Sequence, residues 1–192
     1  MRVVALVPLF ALLLAQAPAR ADEQVTVCYN YGCASRQTVN FTARQLDQLH
    51  QMLAAASTAA AERSALARAV GRLYAWAGEQ SPIWRDRGGN YADGGVDGKM
   101  DCIDHSTTTT RFLRLLERCG WLRFHRVLPP VRRVRFLISV HWSALIEELP
   151  SPGAGPAAAP RRFVVDSWFV DNGRPAVVLP LQQWLNGGGP NV

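Results

Sequence analysis

An aspartate–cysteine pair, Asp101-Cys102, stands where a loop rich in Gly and Asp gives way to a helical pattern that runs on to Arg118. A carboxylate just before a helix takes the free N–H groups of the first turn, so Asp101 reads as the N-cap. Cys102 then falls in that first turn. The helix dipole there lowers the pKa of a thiol and favours the thiolate, the form that acts as a nucleophile. Gly120 sits just past the pattern and is a good C′ residue. Thr107 to Thr110 fit poorly inside the pattern, because β-branched side chains lose χ1 freedom in a helix. Tight packing of small side chains against a sheet would account for them.

The other cysteines narrow what Cys102 can do. Residues 1–21 have the form of a secretory signal: a positive start at Arg2, an apolar run from Val3 to Leu14, and Ala19-Arg20-Ala21 as the cleavage site. That run is shorter than the roughly 20 residues a membrane span needs. The expected mature chain begins near Asp22 as one exported domain, periplasmic or secreted, with no transmembrane segment. Export places its cysteines in an oxidising compartment. Cys28 and Cys33 flank the turn-forming Tyr29-Asn30-Tyr31-Gly32 and are placed to pair. Cys102 and Cys119 on one helix would lie roughly 25 Å apart and cannot pair. Cys102 therefore stays a free thiol, and Cys119 reads as a small apolar residue near the helix end.

The formal net charge is +6 over the whole chain, with Arg far outnumbering the single Lys99. Apart from Arg132-Arg133-Arg135 the basic residues are scattered, as on a solvated surface. With export, that argues against nucleic acid as a partner.

Along the chain, residues 24–41 alternate apolar and polar and predict a hairpin turning near Asn30–Gly32. Thr42 and Gln45 form a capping box. They open a helical region to about Ala77, with a break at Ser57-Thr58. Gly78 to Met100 reads as a loop in which Trp84 and Tyr91 line a cleft or anchor the loop. Pro129-Pro130 is expected to stop regular structure. Residues 131–148 read as one extended segment with His141 and Arg133 on one face and Trp142 and Val140 on the other. Pro150 to Pro160 forms a loop, and 162–170 is again strand-like. Asp171-Asn172-Gly173 is a hairpin turn signal, 176–179 the returning strand, and 181–185 a short helix. The fold class is α+β: a helical N-terminal half, with the Cys-bearing helix packed on an antiparallel sheet.

A thiol nucleophile needs a base to take its proton and a third group to orient the base. Antiparallel pairing of the 131–148 and 162–170 strands would bring His141 near Asp166. The order is then Cys102, His141, Asp166. His105, three residues after Cys102, is a rival base or a substrate-site residue. Each of the three also has a structural reading: an inert buried thiol, a satisfied core histidine, and a carboxylate paired to an arginine.

Met100-Asp101-Cys102-Ile103-Asp104, Val140-His141-Trp142-Ser143 and Val164-Val165-Asp166-Ser167-Trp168 resemble, in that order, the motifs of the transglutaminase-like superfamily. The bacterial transglutaminase-like cysteine proteinases are nearest in character, and the resemblance covers about residues 70–185. It implies a papain-like thiol site with Cys102 as nucleophile, His141 as general base and acid, and Asp166 as orienting carboxylate. It also implies an oxyanion hole from the Cys102 N–H and an upstream side chain, for which Asn90 and Tyr91 are candidates. Trp142 belongs to the same possible oxyanion or substrate site. The run from His105 to Thr110 departs from the family pattern. The resemblance implies a cysteine protease or amide acyl transferase acting on protein or peptide. The alternative is a catalytically silent binding domain of the cell envelope.

No cofactor is required by this chemistry. Calcium is the one metal the spacing admits, since Asp93, Asp97, Gly98, Asp101 and Asp104 fall at positions 1, 5, 6, 9 and 12 of an EF-hand-like loop. Position 3 is Gly95 and position 12 is Asp in place of Glu, so the same residues also read as an acidic turn leading into the helix.

Overall fold

A computed structural model describes residues 21–89, 91–136, 139–150 and 159–190. Residues 1–20, which hold most of the expected signal segment, Asn90 and most of the Pro/Gly/Ala-rich loop lie outside them. Strands β1 (Glu23–Tyr29) and β2 (Ser35–Phe41) pair as an antiparallel hairpin. Helix α1 (Ala43–Ala54) starts at Thr42 with the full capping box, and α2 (Ala59–Gly78) starts at Thr58, whose side chain accepts from Ala61 N. A single 3-10 turn, Pro82–Arg85, precedes the long loop to α3 (Cys102–Arg118).

The second sheet has the order β3 (His125–Arg135), β4 (Ser139–Glu148), β5 (Arg162–Asp166), β6 (Val177–Pro180), and every pairing is antiparallel. Helix α4 (Leu181–Leu185) follows directly. These helices and antiparallel sheets make the fold α+β. Helix α3 packs on β4, β3 and β5 of this sheet and on β1 of the hairpin, so it is the central element of the core.

Two expectations change. The segment 131–148 is not one strand but the two arms of the β3–β4 hairpin, with Arg133 opposite His141. Pro129-Pro130 lie inside β3, not at its end. β3 is an edge strand, and its register against β4 shifts between Leu128 and Val131. Proline is tolerated there because an edge or bulge position does not need the missing N–H. Along β4 the buried face carries His141 and Ser143, while Val140 is exposed. Strand β5 ends at Asp166, shorter than the predicted 162–170, because the buried residues Ser167 to Phe169 leave the ladder to pack beneath the site.

The loop before α3 is tied down at both ends. Asn30 N donates to Lys99 O at 2.7 Å, Gly98 N donates to Asn30 Oδ1 at 2.8 Å, and Met100 N donates to the buried Asp86 Oδ1 at 2.9 Å. Gly98 has φ +87° and its Cα faces the Pro82 carbonyl, so a side chain there would collide with backbone.

Candidate active site

Helix α3 begins as the sequence predicts. Asp101 Oδ1 accepts from Ile103 N at 3.0 Å and Asp104 N at 2.9 Å, and the Asp104 side chain returns the bond to Asp101 N at 3.2 Å. This reciprocal box fixes Cys102 at the first helical position. Cys102 is a free, half-buried thiol. It packs against the cluster of Leu145, Val164, Trp168, Phe169 and Trp184.

The same aromatic residues surround His141. Its ring lies 4.8 Å from Trp168, 5.5 Å from Phe169 and 5.6 Å from Trp184, centroid to centroid. Its Nε2 is 2.8 Å from Asp166 Oδ2. Asp166 is buried, and it also accepts from the Trp184 indole Nε1–H at 2.8 Å and from Trp168 N at 3.2 Å. With Nε2 held by the carboxylate, Nδ1 is the nitrogen of His141 left to exchange a proton. Strand pairing explains the contact: Ala144 sits opposite Val165 in the β4–β5 register, which sets Asp166 beside the His141 end of β4.

Cys102 also lies against β4. The Trp142 backbone N–H, one residue beyond His141, hydrogen-bonds to the thiol and favours the thiolate, as does the N–H of Cys102 itself. These bonds are outweighed. Burial pushes the Cys102 thiol up from its ordinary value, and the charges of Asp101 and Asp166 push the same way. The helix start alone therefore does not yield the lowered thiol pKa that its position predicts. A thiolate here requires a compensating positive charge, and protonation of His141 would supply one.

His105 is nearly fully buried. Its Nε2 meets Asp86 Oδ2 at 2.9 Å and its Nδ1 meets Ser167 Oγ at 2.9 Å. Ser167 Oγ meets Thr109 Oγ1 at 2.8 Å, and Tyr74 Oη joins both hydroxyls. Both ring nitrogens are thus occupied inside the core, so His105 has none left for a substrate or for Cys102. Thr108 Oγ1 accepts from Cys28 N at 3.0 Å. The threonine run that fits a helix poorly is the helix's polar seam against the hairpin and the Asp166 segment.

Tyr91 is well exposed, and its ring stacks edge-on against Trp168 at 4.9 Å, so it borders the His141 cluster. Trp142 contributes its backbone to Cys102, as described. Asn90 lies outside the described residues. Arg133 was not singled out, yet its Nη1 donates to Trp184 O at 2.5 Å and its guanidinium lies 4.6 Å from the Trp184 ring centre. Trp184 and Asp86 were also missed, because nothing in their local sequence marks a residue that meets its partner only through tertiary contact.

The candidate calcium ligands have separate protein partners. Asp93 Oδ2 is 2.9 Å from Lys99 Nζ and its Oδ1 accepts from Tyr31 Oη at 2.6 Å. Asp97 Oδ2 is 3.1 Å from Arg85 Nη1. Asp101 and Asp104 cap α3, and both accept from the hairpin tip: Gly32 N to Asp101 Oδ2 at 3.0 Å, Tyr31 N and Cys33 N to Asp104 at 2.8 and 2.6 Å. Among the described residues, the only group of metal-ligand atoms within reach of one ion is Cys28, Cys33 and Asp104, and its two sulfurs are joined in the Cys28–Cys33 disulfide. The loop's carboxylates thus serve as anchors for the hairpin.

Comparison of the chain with protein-family models, with curated proteins and with solved structures gives no match.

Proposed function

We propose that this chain is an exported thiol enzyme, a cysteine peptidase or amide acyl transferase of transglutaminase-like character, acting through Cys102, His141 and Asp166. The observation that carries the reading is the buried His141–Asp166 pair at 2.8 Å, with Trp184 as a second donor to the carboxylate, set in the same aromatic cluster that holds Cys102 at a helix start. A carboxylate buried among tryptophans is costly unless fully hydrogen-bonded. Here its donors orient the imidazole so that Nδ1 is free for proton transfer.

The chemistry follows from those positions. His141 Nδ1 takes the Cys102 proton, and the resulting imidazolium offsets the burial and the carboxylate charges that oppose the thiolate. The sulfur attacks an amide carbonyl carbon, and the C=O π pair moves to oxygen. Collapse breaks the C–N bond, and the imidazolium returns its proton to the leaving amine. Water or a second amine then attacks the thioester, giving up its proton to His141, and the thiolate leaves. Asp166 holds the ring and stabilises the imidazolium without being protonated.

A second reading, a silent binding domain, is favoured by the upward shift of the thiol. The two are separated by incubating the wild-type protein and Cys102→Ala with a pool of peptides and free amines, followed by mass spectrometry. Cleaved or amine-coupled products, and a thioester adduct on Cys102, are expected with wild type and absent with Cys102→Ala. Peptides retained without any product or adduct would replace the enzyme reading with the binding one.

A further inference from the structure

A cleft of about 530 Å³ opens between the β1–β2 hairpin and the C-terminal half of α3. It shares no lining residue with the Cys102 site. Arg111, Arg114 and Arg118 recur at i, i+3 and i+7, the spacing of one helix face, and Arg36 lines the same cleft from β2. Among the described residues only Arg114 of these four has a carboxylate at ion-pair distance, Glu117 at 2.6 Å. Arg111 is held in place. Its Nη1 donates to Thr26 O at 2.8 Å and to Cys28 Sγ at 3.3 Å. Partial burial, and then the neighbouring Arg36 charge, push its pKa down. Beside it, Thr110 Oγ1 is buried with no hydrogen-bond partner among the described residues.

We propose that this cleft binds a phosphate-bearing anion, gripped by Arg36, Arg111 and Arg118, with the Thr110 hydroxyl as a further donor. The guanidinium fork matches phosphate oxygens in pairs. A phosphate group offers oxygens on several sides and up to two negative charges. That suits donors arriving from both a helix and a strand better than a planar, singly charged carboxylate does. The shared chemistry is that of inorganic phosphate, a small phosphoester and an anionic phospholipid headgroup.

The test is calorimetric titration of the purified protein with inorganic phosphate and with pyrophosphate, at constant ionic strength set by chloride. Saturable binding is expected, weakened at least about tenfold in the Arg36→Gln/Arg118→Gln double variant, the loss of one or more charge-assisted hydrogen bonds. Both substituted residues are exposed, so the variant's melting temperature in chloride should match wild type. Co-sedimentation with phosphatidylglycerol vesicles, against phosphatidylcholine vesicles, distinguishes the sources. Binding of the free anions alone assigns a soluble ligand, and binding of both free anions and anionic vesicles assigns a headgroup. No saturable binding of either anion by about 10 mM, or equal affinity in the double variant, overturns the proposal whatever the vesicles show.

Discussion

Asp166 answers to three donors at once, and the candidate site depends on that. Asn at this position has one acceptor oxygen and an amide that must face a donor. Asp166→Asn is therefore expected to cost about 1–3 kcal/mol in urea unfolding. It should also lower any turnover by on the order of 10²–10⁴, because the imidazole loses its preferred tautomer. Trp184→Phe keeps a ring against His141 but removes the indole donor. It should cost about 1 kcal/mol and reduce turnover less than Asp166→Asn does. Equal turnover in Trp184→Phe and wild type would mean that Trp184 packs without positioning. The partnership of Asp166 and His141 was legible from strand order alone. The role of Trp184 was not, since a tryptophan in a short terminal helix gives no local hint of the carboxylate it will meet.

At the scale of elements, the helix starts were the most legible part of the chain. Thr42, Thr58 and Asp101 cap by contacts within three residues, so their signal is local. The β3–β4 hairpin was not legible. Phe136, a bulky residue at φ +50°, stands in a turn at the end of β3 with no Gly or Asn beside it to announce one, and the diproline looked like a stop. The β1–β2 tip is more unusual. Asn30, Tyr31, Gly32 and Cys33 all have positive φ, three of them non-glycine. The disulfide closes this tip, and the Asp101 and Asp104 carboxylates clamp it to the start of α3. Burial, and then the charge of Asp101, push Asp104 up to about 6. A carboxyl whose folded pKa exceeds its unfolded value near 3.9 binds its proton more tightly in the native state, so its contribution is fully present below about pH 4 and lost as pH rises through about 6. The stability of the wild type relative to Asp104→Asn should therefore fall between about pH 4 and pH 7 in urea titrations. A constant or rising difference would mean that the three backbone donors outweigh burial.

Across the whole molecule, His105 joins three separated regions. It lies on α3, binds Asp86 in the loop after α2, and binds Ser167 just after Asp166. Asp86 in turn holds Met100, two residues before Cys102. The helix that carries Cys102 and the segment that carries Asp166 are thus locked to one buried polar core. His105→Ala would leave the fully buried Asp86 carboxylate without its imidazole partner and should cost about 1–3 kcal/mol in urea unfolding. A loss below about 1 kcal/mol would show the core to be dispensable. This network joins residues 14, 19 and 62 positions apart in the chain, so hydrophobic periodicity could not disclose it. Sequence spacing placed His105 beside Cys102 on the helix, whereas the structure turns it into the core.

The central claim is that His141 makes a nucleophile of a thiol whose surroundings otherwise oppose ionisation. The rate of Cys102 alkylation by iodoacetamide, followed against pH in wild type and His141→Ala, tests it most directly. The wild type should show a reactive limb well below the ordinary thiol value of about 8.5. In His141→Ala that limb should vanish, leaving a single rise above the ordinary value, because burial and the Asp101 and Asp166 charges remain. Superimposable profiles in the two proteins would contradict the account.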